Sequence, residues 1–376
     1  MKISFKQFLS PNHSWSTMLN FAREMKRMGH EVHLDSTNGY DNFPADMQEN
    51  VKCRECGDDH HRDPANCRLD KEYDLSLSYT ACFHFNEYTH IGKKKFVVYN
   101  IDSDVLPKGW AKFHSAVDKV LPSSTYSKNT LVKAGMPEDK LVVVPHCYDS
   151  EFIDRKEIFP INTNRKRKYL TVIQQPHKRK GINKLLEGWG KAFTKKDDVV
   201  LVAKVRTTQK NKSELSFNDE LVKFKRKFPN HAPIIVLGGF VDYISDLHRA
   251  CDVLLSTSHI ECFLLPALNH MVSKKLVIAS GGETGCGNID FMNENNSLLI
   301  KGKTVRMPMD FQYWDPSREA SMFEPNTDNI AELLRLSNDK HDDLLKEFMP
   351  GIDNVIEKYS AENITKQILN LHETNS

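Results

Sequence analysis

The chain has 376 residues, 39% of them hydrophobic and 27% charged, with 52 basic side chains against 50 acidic ones. That length suits roughly two to three domains of ~150 residues, and the charge balance excludes a polycation while allowing a local basic face. No apolar run approaches the ~20 residues needed to span a bilayer. The opening Met1-Lys-Ile-Ser-Phe-Lys lacks the apolar core of a secretory signal, and eight cysteines are few for a disulfide scaffold. The expected compartment is therefore the reducing cytoplasm.

Residues 2–8 read as a strand, followed by a polar loop carrying His13 and then a helix with Met18, Leu19, Ala22, Met25 and Met28 at helical spacing. Gly29-His30 closes that helix and residues 31–34 form the next strand. Strand ends follow at 73–78, 95–99 and 119–122, a helix at 127–134 and a buried strand at 141–145. Composition shifts between 149 and 168, where Pro160 precedes the run Arg165-Lys-Arg-Lys168, and this predicts an interdomain linker. A second series then opens with a strand at 169–173, a helix at 182–193, and strands at 199–203 and 233–237. A helix at 244–250, strands at 252–256 and 276–280 and a helical tail over 330–371 complete it. Strands alternating with helices predict α/β architecture, with two doubly wound Rossmann-like halves.

Two segments carry chemistry. In Ser258-His-Ile-Glu261-Cys262-Phe263-Leu264-Leu265-Pro266-Ala-Leu-Asn269-His-Met271, a carboxylate stands just ahead of a helix with proline in its first turn. The first amides of such a helix have no intrahelical partner and favour anions, so the N–H groups of Phe263, Leu264 and Leu265 would face an anionic group. In Gln174-Gln175-Pro-His-Lys-Arg-Lys180-Gly181, a basic loop follows a strand and opens a helix.

Together they resemble the donor-site motifs of retaining GT-B glycosyltransferases of family 4, E-G-F-G-L-P-x-L-E-A-M and G-R-x-x-x-x-K-G. The likeness covers most of the chain and is strongest over 169–300. It implies the GT-B fold: an acceptor-binding domain over 1–160, a nucleotide-sugar-binding domain over 161–350, and a terminal helix over 351–376 packing back on the first. Lys180 would grip the diphosphate and Glu261 would contact the sugar hydroxyls. Gln175 replaces the motif's arginine, and Lys204 and Arg206, at the end of the next strand, are candidates to supply the missing charge. Asn269 replaces the glutamate that binds ribose, and Cys262 and Leu264 replace glycines. The run from Gly285 through Gly287 and Asn288 resembles the loop facing the sugar. His13 and Asp102, the latter at the end of a strand, join Glu261 as catalytic candidates; Asp104 and His146 also fall at strand ends, where open α/β sheets bind ligands.

The implied activity is retaining transfer of a sugar from a UDP- or GDP-linked donor to a hydroxyl on a glycan, lipid-linked sugar or protein. No catalytic metal is expected, and the leaving phosphate would act as base. Two alternatives stay open: a phage-type enzyme acting on hydroxylated bases in DNA, and a degenerate, non-catalytic binding subunit. Basic runs at 93–95, 165–168 and 204–227 would serve a nucleic acid or a peripheral membrane contact. Separately, Cys53-x2-Cys56-x4-His61-x5-Cys67 is one residue longer than the zinc-knuckle spacing, and its three thiols and imidazole are ligand types suited to a structural zinc ion.

Overall fold

The computed structural model describes residues 1–7, 14–36, 46–47, 73–79, 92–173, 178–205, 217–239, 241–308 and 319–374. Two compact units emerge: residues 1–101, 105–149 and 358–376 form the first, and residues 102–104 and 150–357 the second.

The first unit is built on strands β1 (Lys2–Gln7), β2 (Glu31–Ser36), β3 (Tyr73–Tyr79), β4 (Gly92–Val98) and β5 (Lys119–Leu121). They pair in parallel in the order β2-β1-β3-β4-β5. A parallel sheet needs cover on both faces, and alternate residues supply both. Phe96 and Val98 join Ile3, Phe5, Leu75 and Leu77 in one core, against Met18, Ala22 and Met25 of helix α1 (Ser14–Arg27). Val97, pointing the other way, packs with Val120, Leu131 and Leu141 under helix α2 (Thr125–Lys133). The buried strand expected at 141–145 is absent. Leu141 makes an isolated bridge to Val120, and Val144 N–H donates to the Pro122 carbonyl. Pro122 and Pro145 each lack the N–H that would extend a ladder there.

The second unit begins, after Asp102–Asp104, with α3 (Glu151–Asp154). It continues through β6 (Arg167–Ile173), α4 (Ile182–Ala192), β7 (Val199–Val205), α5 (Phe217–Lys227), β8 (Ile234–Leu237) and α6 (Ile244–Ala250). Then come β9 (Val253–Ser256), α7 (Leu265–Val272), β10 (Leu276–Ser280) and β11 (Leu298–Ile300). The sheet is parallel, in the order β11-β10-β9-β6-β7-β8. Its order reverses between β6 and β9, a topological switch point. An antiparallel hairpin not anticipated from sequence, β12 (Gly302–Arg306) and β13 (Ser321–Pro325), follows. Residues 155–159 are pinned onto α6: Arg155 bonds both oxygens of Asp246, and Arg249 donates to the Glu157 carbonyl.

The helical tail is three helices: α8 (Thr327–Asp339), α9 (His341–Lys358) and α10 (Ala361–Thr374). Ser360 accepts the Asn363 N–H, an N-cap that starts the last of them. Ile364 and Ile368 of α10 enter the core beneath α1, so the chain's end belongs to the first unit. Among the described residues, no helix is long and apolar enough to cross a membrane.

Candidate donor site in the second unit

Ligands of open parallel sheets bind beyond the carboxyl ends of the strands where the strand order reverses. In the second unit that point lies between β6 and β9, and the two loops leaving it carry Lys180 and Glu261. After β6, residues Lys178–Lys180 form a single 3-10 turn, and Gly181 (φ 62°, ψ 32°) swings the chain into α4. After β9, the backbone of Glu261 is clamped to the next loop: its N–H donates to Gly285 (2.7 Å), and its carbonyl accepts from Gly287 (2.8 Å). A side chain at Gly285 (φ 81°) would lie 2.6 Å from the His259 carbonyl, so this clamp requires glycine.

These loops bring Lys180 and Glu261 into direct contact, 81 residues apart in sequence. Lys180 Nζ donates to Glu261 Oε1, the Ser258 hydroxyl donates to the same oxygen at 2.7 Å, and Arg179 lies 3.5 Å from Oε2. The Glu261 carboxylate is 10% exposed. Burial works against its charge, but Lys180 and Arg179 outweigh burial and pull its pKa down to about 2. Burial likewise opposes the Arg179 charge, and Asp102 and Glu261 reverse that effect and raise its pKa. Burial, with the Asp102 and Glu261 charges nearby, pushes the Cys262 thiol well above its ordinary pKa and keeps it protonated.

Asp102 reaches the same cluster. Its Oδ1 accepts the Cys262 N–H at 3.1 Å, and its Oδ2 lies 3.1 Å from Arg179. Asp104 accepts the Ser321 N–H at 2.8 Å. Both carboxylates thus fasten backbone of the second unit. Phe263 is 1% exposed, its ring against Phe291. Leu264 takes the left-handed conformation (φ 68°, ψ 58°) just before α7, a position glycine fills without strain. Burying its side chain offsets that strain, which costs about 1–2 kcal/mol. Leu265 is buried at the first turn, beside Pro266. Asn269, 8% exposed on α7, has a buried Oδ1 with no hydrogen-bond partner among the described residues. An orphaned amide oxygen of this kind is costly unless a ligand or water meets it.

Lys204 does not join the Lys180–Glu261 pair; its amine donates to the Gly239 carbonyl at 2.6 Å, and burial lowers its pKa. Asn288, in the loop after Gly285, is buried and donates to the Ser280 carbonyl, which makes it a brace within that loop. In the first unit, Asn100 bonds His146 Nε2 (2.7 Å) and the Tyr79 hydroxyl (3.2 Å). His13, Arg206, Gln175 and the loop of Cys53, Cys56, His61 and Cys67 lie outside the described residues. Among the described residues no cluster of side chains is suited to a metal. Sequence reasoning missed Arg179 and Ser258. Arg179 had one signal, a second cation directly before Lys180-Gly181; Ser258 had only its place three residues before Glu261.

By sequence, the chain matches no protein-family model and no curated protein. By shape it is similar to Anabaena HepE solved with UDP and glucose, at TM-score 0.71 and 15% identity, with 100% of each chain covered. It is also similar to a glycosyltransferase from Rickettsia africae, at TM-score 0.69 and 16% identity, covering 99% of this chain and 98% of that one. A third likeness is to the lipopolysaccharide outer core galactosyltransferase WaaB, at 0.60 and 14%, with both chains fully covered. The fold is GT-B.

Proposed function

We propose that this chain is a glycosyltransferase that takes its sugar from a nucleotide diphosphate sugar, UDP-linked in the first instance, with retention at the anomeric carbon. The observation that carries the reading is the meeting of Lys180 and Glu261 at the switch point, with the orphaned Asn269 amide on the helix that follows the Glu261 loop. The site offers a cation and the start of α7 for a diphosphate, a carboxylate for sugar hydroxyls, and an amide for a diol. Structures of HepE with UDP and with UDP-glucose support a uridine donor.

In this reading Lys180 exchanges its bond to Glu261 for the donor's diphosphate, and Glu261, freed on that side, accepts hydrogen bonds from the sugar. The bond from the anomeric carbon to the β-phosphate oxygen breaks as the bond to the acceptor oxygen forms. The acceptor's proton passes to the departing phosphate. Charge builds on that phosphate in the transition state, where a fixed cation and helix amides stabilise it most. The acceptor in this proposal is a hydroxyl on a glycan, lipid-linked sugar or protein.

A panel of UDP- and GDP-sugars incubated with the purified chain and read by mass spectrometry tests this. Slow release of free sugar and nucleoside diphosphate from one donor is the expected result. No hydrolysis of any donor, with or without acceptor sugars, would count against the reading.

A further inference from the structure

Arg179 fastens the loop of Glu261 through both its main chain and its side chain. Its carbonyl accepts the His259 N–H at 2.7 Å, and its Nη1 donates to the Ile260 carbonyl at 3.0 Å. The same guanidinium faces Glu261 Oε2 at 3.5 Å and Asp102 Oδ2 at 3.1 Å. Asp102 completes the bracket by accepting the Cys262 N–H at 3.1 Å. Residues 259 to 262 are therefore each held, directly or through Asp102, by one arginine. Lys180 has a different geometry: its single amine meets the other carboxylate oxygen, Oε1, alongside the Ser258 hydroxyl.

The two cations thus divide one carboxylate. A planar guanidinium presents fixed donors and can bridge a carbonyl and two carboxylates at once; an ammonium on a flexible stem cannot. Arg179 directs its donors into the protein, toward Ile260, Asp102 and Glu261. Lys180 has three donors on a mobile stem and is the cation suited to move onto a diphosphate.

We propose that Arg179, braced by Asp102, is a positioning residue that fixes Glu261 for the donor sugar and leaves the diphosphate to Lys180. This rests on the donor-site reading above. It also gives Asp102 a bracing role in place of the catalytic one expected from its place at a strand end. If Lys180 leaves Glu261 for the diphosphate, Arg179 remains as the charged contact among the described residues that holds the carboxylate in register. A misplacement of about 1 Å at a reacting centre costs on the order of 10²-fold in rate.

The test separates binding from turnover. Wild type, Arg179→Gln, Arg179→Lys, Asp102→Asn and the double variant R179Q/D102N are titrated with UDP by calorimetry. Each is then assayed for kcat with the UDP-sugar that wild type hydrolyses. UDP lacks the transferable sugar, so Arg179→Gln is expected to bind it within about twofold of wild type while kcat falls about 10²-fold. Arg179→Lys should recover part of that loss, Asp102→Asn should fall in the same direction, and the double variant should be no worse than Arg179→Gln alone. If UDP affinity falls together with kcat, Arg179 is a phosphate ligand or a general support, and the proposal is overturned. Unchanged kcat overturns it equally. Should Arg179→Gln fail to fold, Arg179→Lys decides alone, by lowered kcat at unchanged UDP affinity. A wild-type chain silent toward every UDP- and GDP-sugar sinks the functional reading itself, a result distinct from any difference among the variants.

Discussion

Glu261→Gln is expected to lower turnover of the donor sugar by roughly 10²–10³, the range seen when one charged or hydrogen-bonding group is removed from a developing transition state. UDP, which lacks the transferable sugar that Glu261 would meet, should still bind. The amide keeps the size of the carboxylate and one acceptor oxygen, so the Ser258 contact can persist while the charge is lost. Stability responds too. Removing the anion leaves Lys180 and Arg179 side by side without their shared counter-ion, and breaking a buried pair in this way costs about 3–5 kcal/mol. The sign of the pH dependence follows from the direction of the shift. Glu261 falls from an ordinary value of 4.5 to about 2, so its contribution is complete above pH 4.5 and is lost as the pH drops toward 2. Thermal melts between pH 3 and pH 7 should show wild type losing more stability on acidification than Glu261→Gln.

Gly181→Ala has an equally large expected effect, by a steric route. Gly181 sits at φ 62°, where an added Cβ costs about 1–2 kcal/mol. That Cβ would lie 2.0 Å from the Thr257 carbonyl oxygen, a main-chain atom at the end of β9 that also carries the loop toward Glu261. The Thr257 hydroxyl already donates to the Gly181 carbonyl at 3.0 Å, so the two loops are locked together and neither can yield alone. Overpacking of this kind adds about 1–3 kcal/mol, for a total near 4 kcal/mol. At roughly 2–4 °C per kcal/mol for a unit of this size, the melting temperature should fall by about 10 °C. Because Lys180 is the preceding residue, UDP affinity should fall as well. A variant that melts and binds like wild type would show that α4 is not seated as described.

Much of the fold was legible in sequence because buried parallel strands leave a strong signature. Runs such as Val199-Val-Leu-Val-Ala203 and Leu276-Val-Ile-Ala279 are apolar on both faces, and helices with regular apolar spacing separate them. The hairpin of β12 and β13 escaped notice because its first strand, Gly-Lys-Thr-Val-Arg, faces solvent and carries no apolar alternation. Residues 141–145 misled in the opposite way: three valines and leucine look like a strand, but two prolines deny it a ladder. At the site, Lys180 and Glu261 could be picked out locally, each beside a turn at the end of a strand. Arg179 could not, since its meaning lies in partners 77 residues before it and 81 and 82 residues after it, at Asp102, Ile260 and Glu261. Nor could the orphaned oxygen of Asn269, because an unmet hydrogen bond is a property of the packed state alone.

The role proposed for Lys180 is to hold the diphosphate of a nucleotide donor at the switch point of the second unit. It is tested most directly by UDP titration of wild type and Lys180→Ala, read as a shift in melting temperature. At a hundredfold excess over Kd, a ligand bound only by the folded state adds about 2.7 kcal/mol, or roughly 5–10 °C here. That shift is expected for wild type, and little or none for Lys180→Ala. A wild-type melting temperature unmoved by millimolar UDP or GDP, or an equal shift in Lys180→Ala, would contradict it.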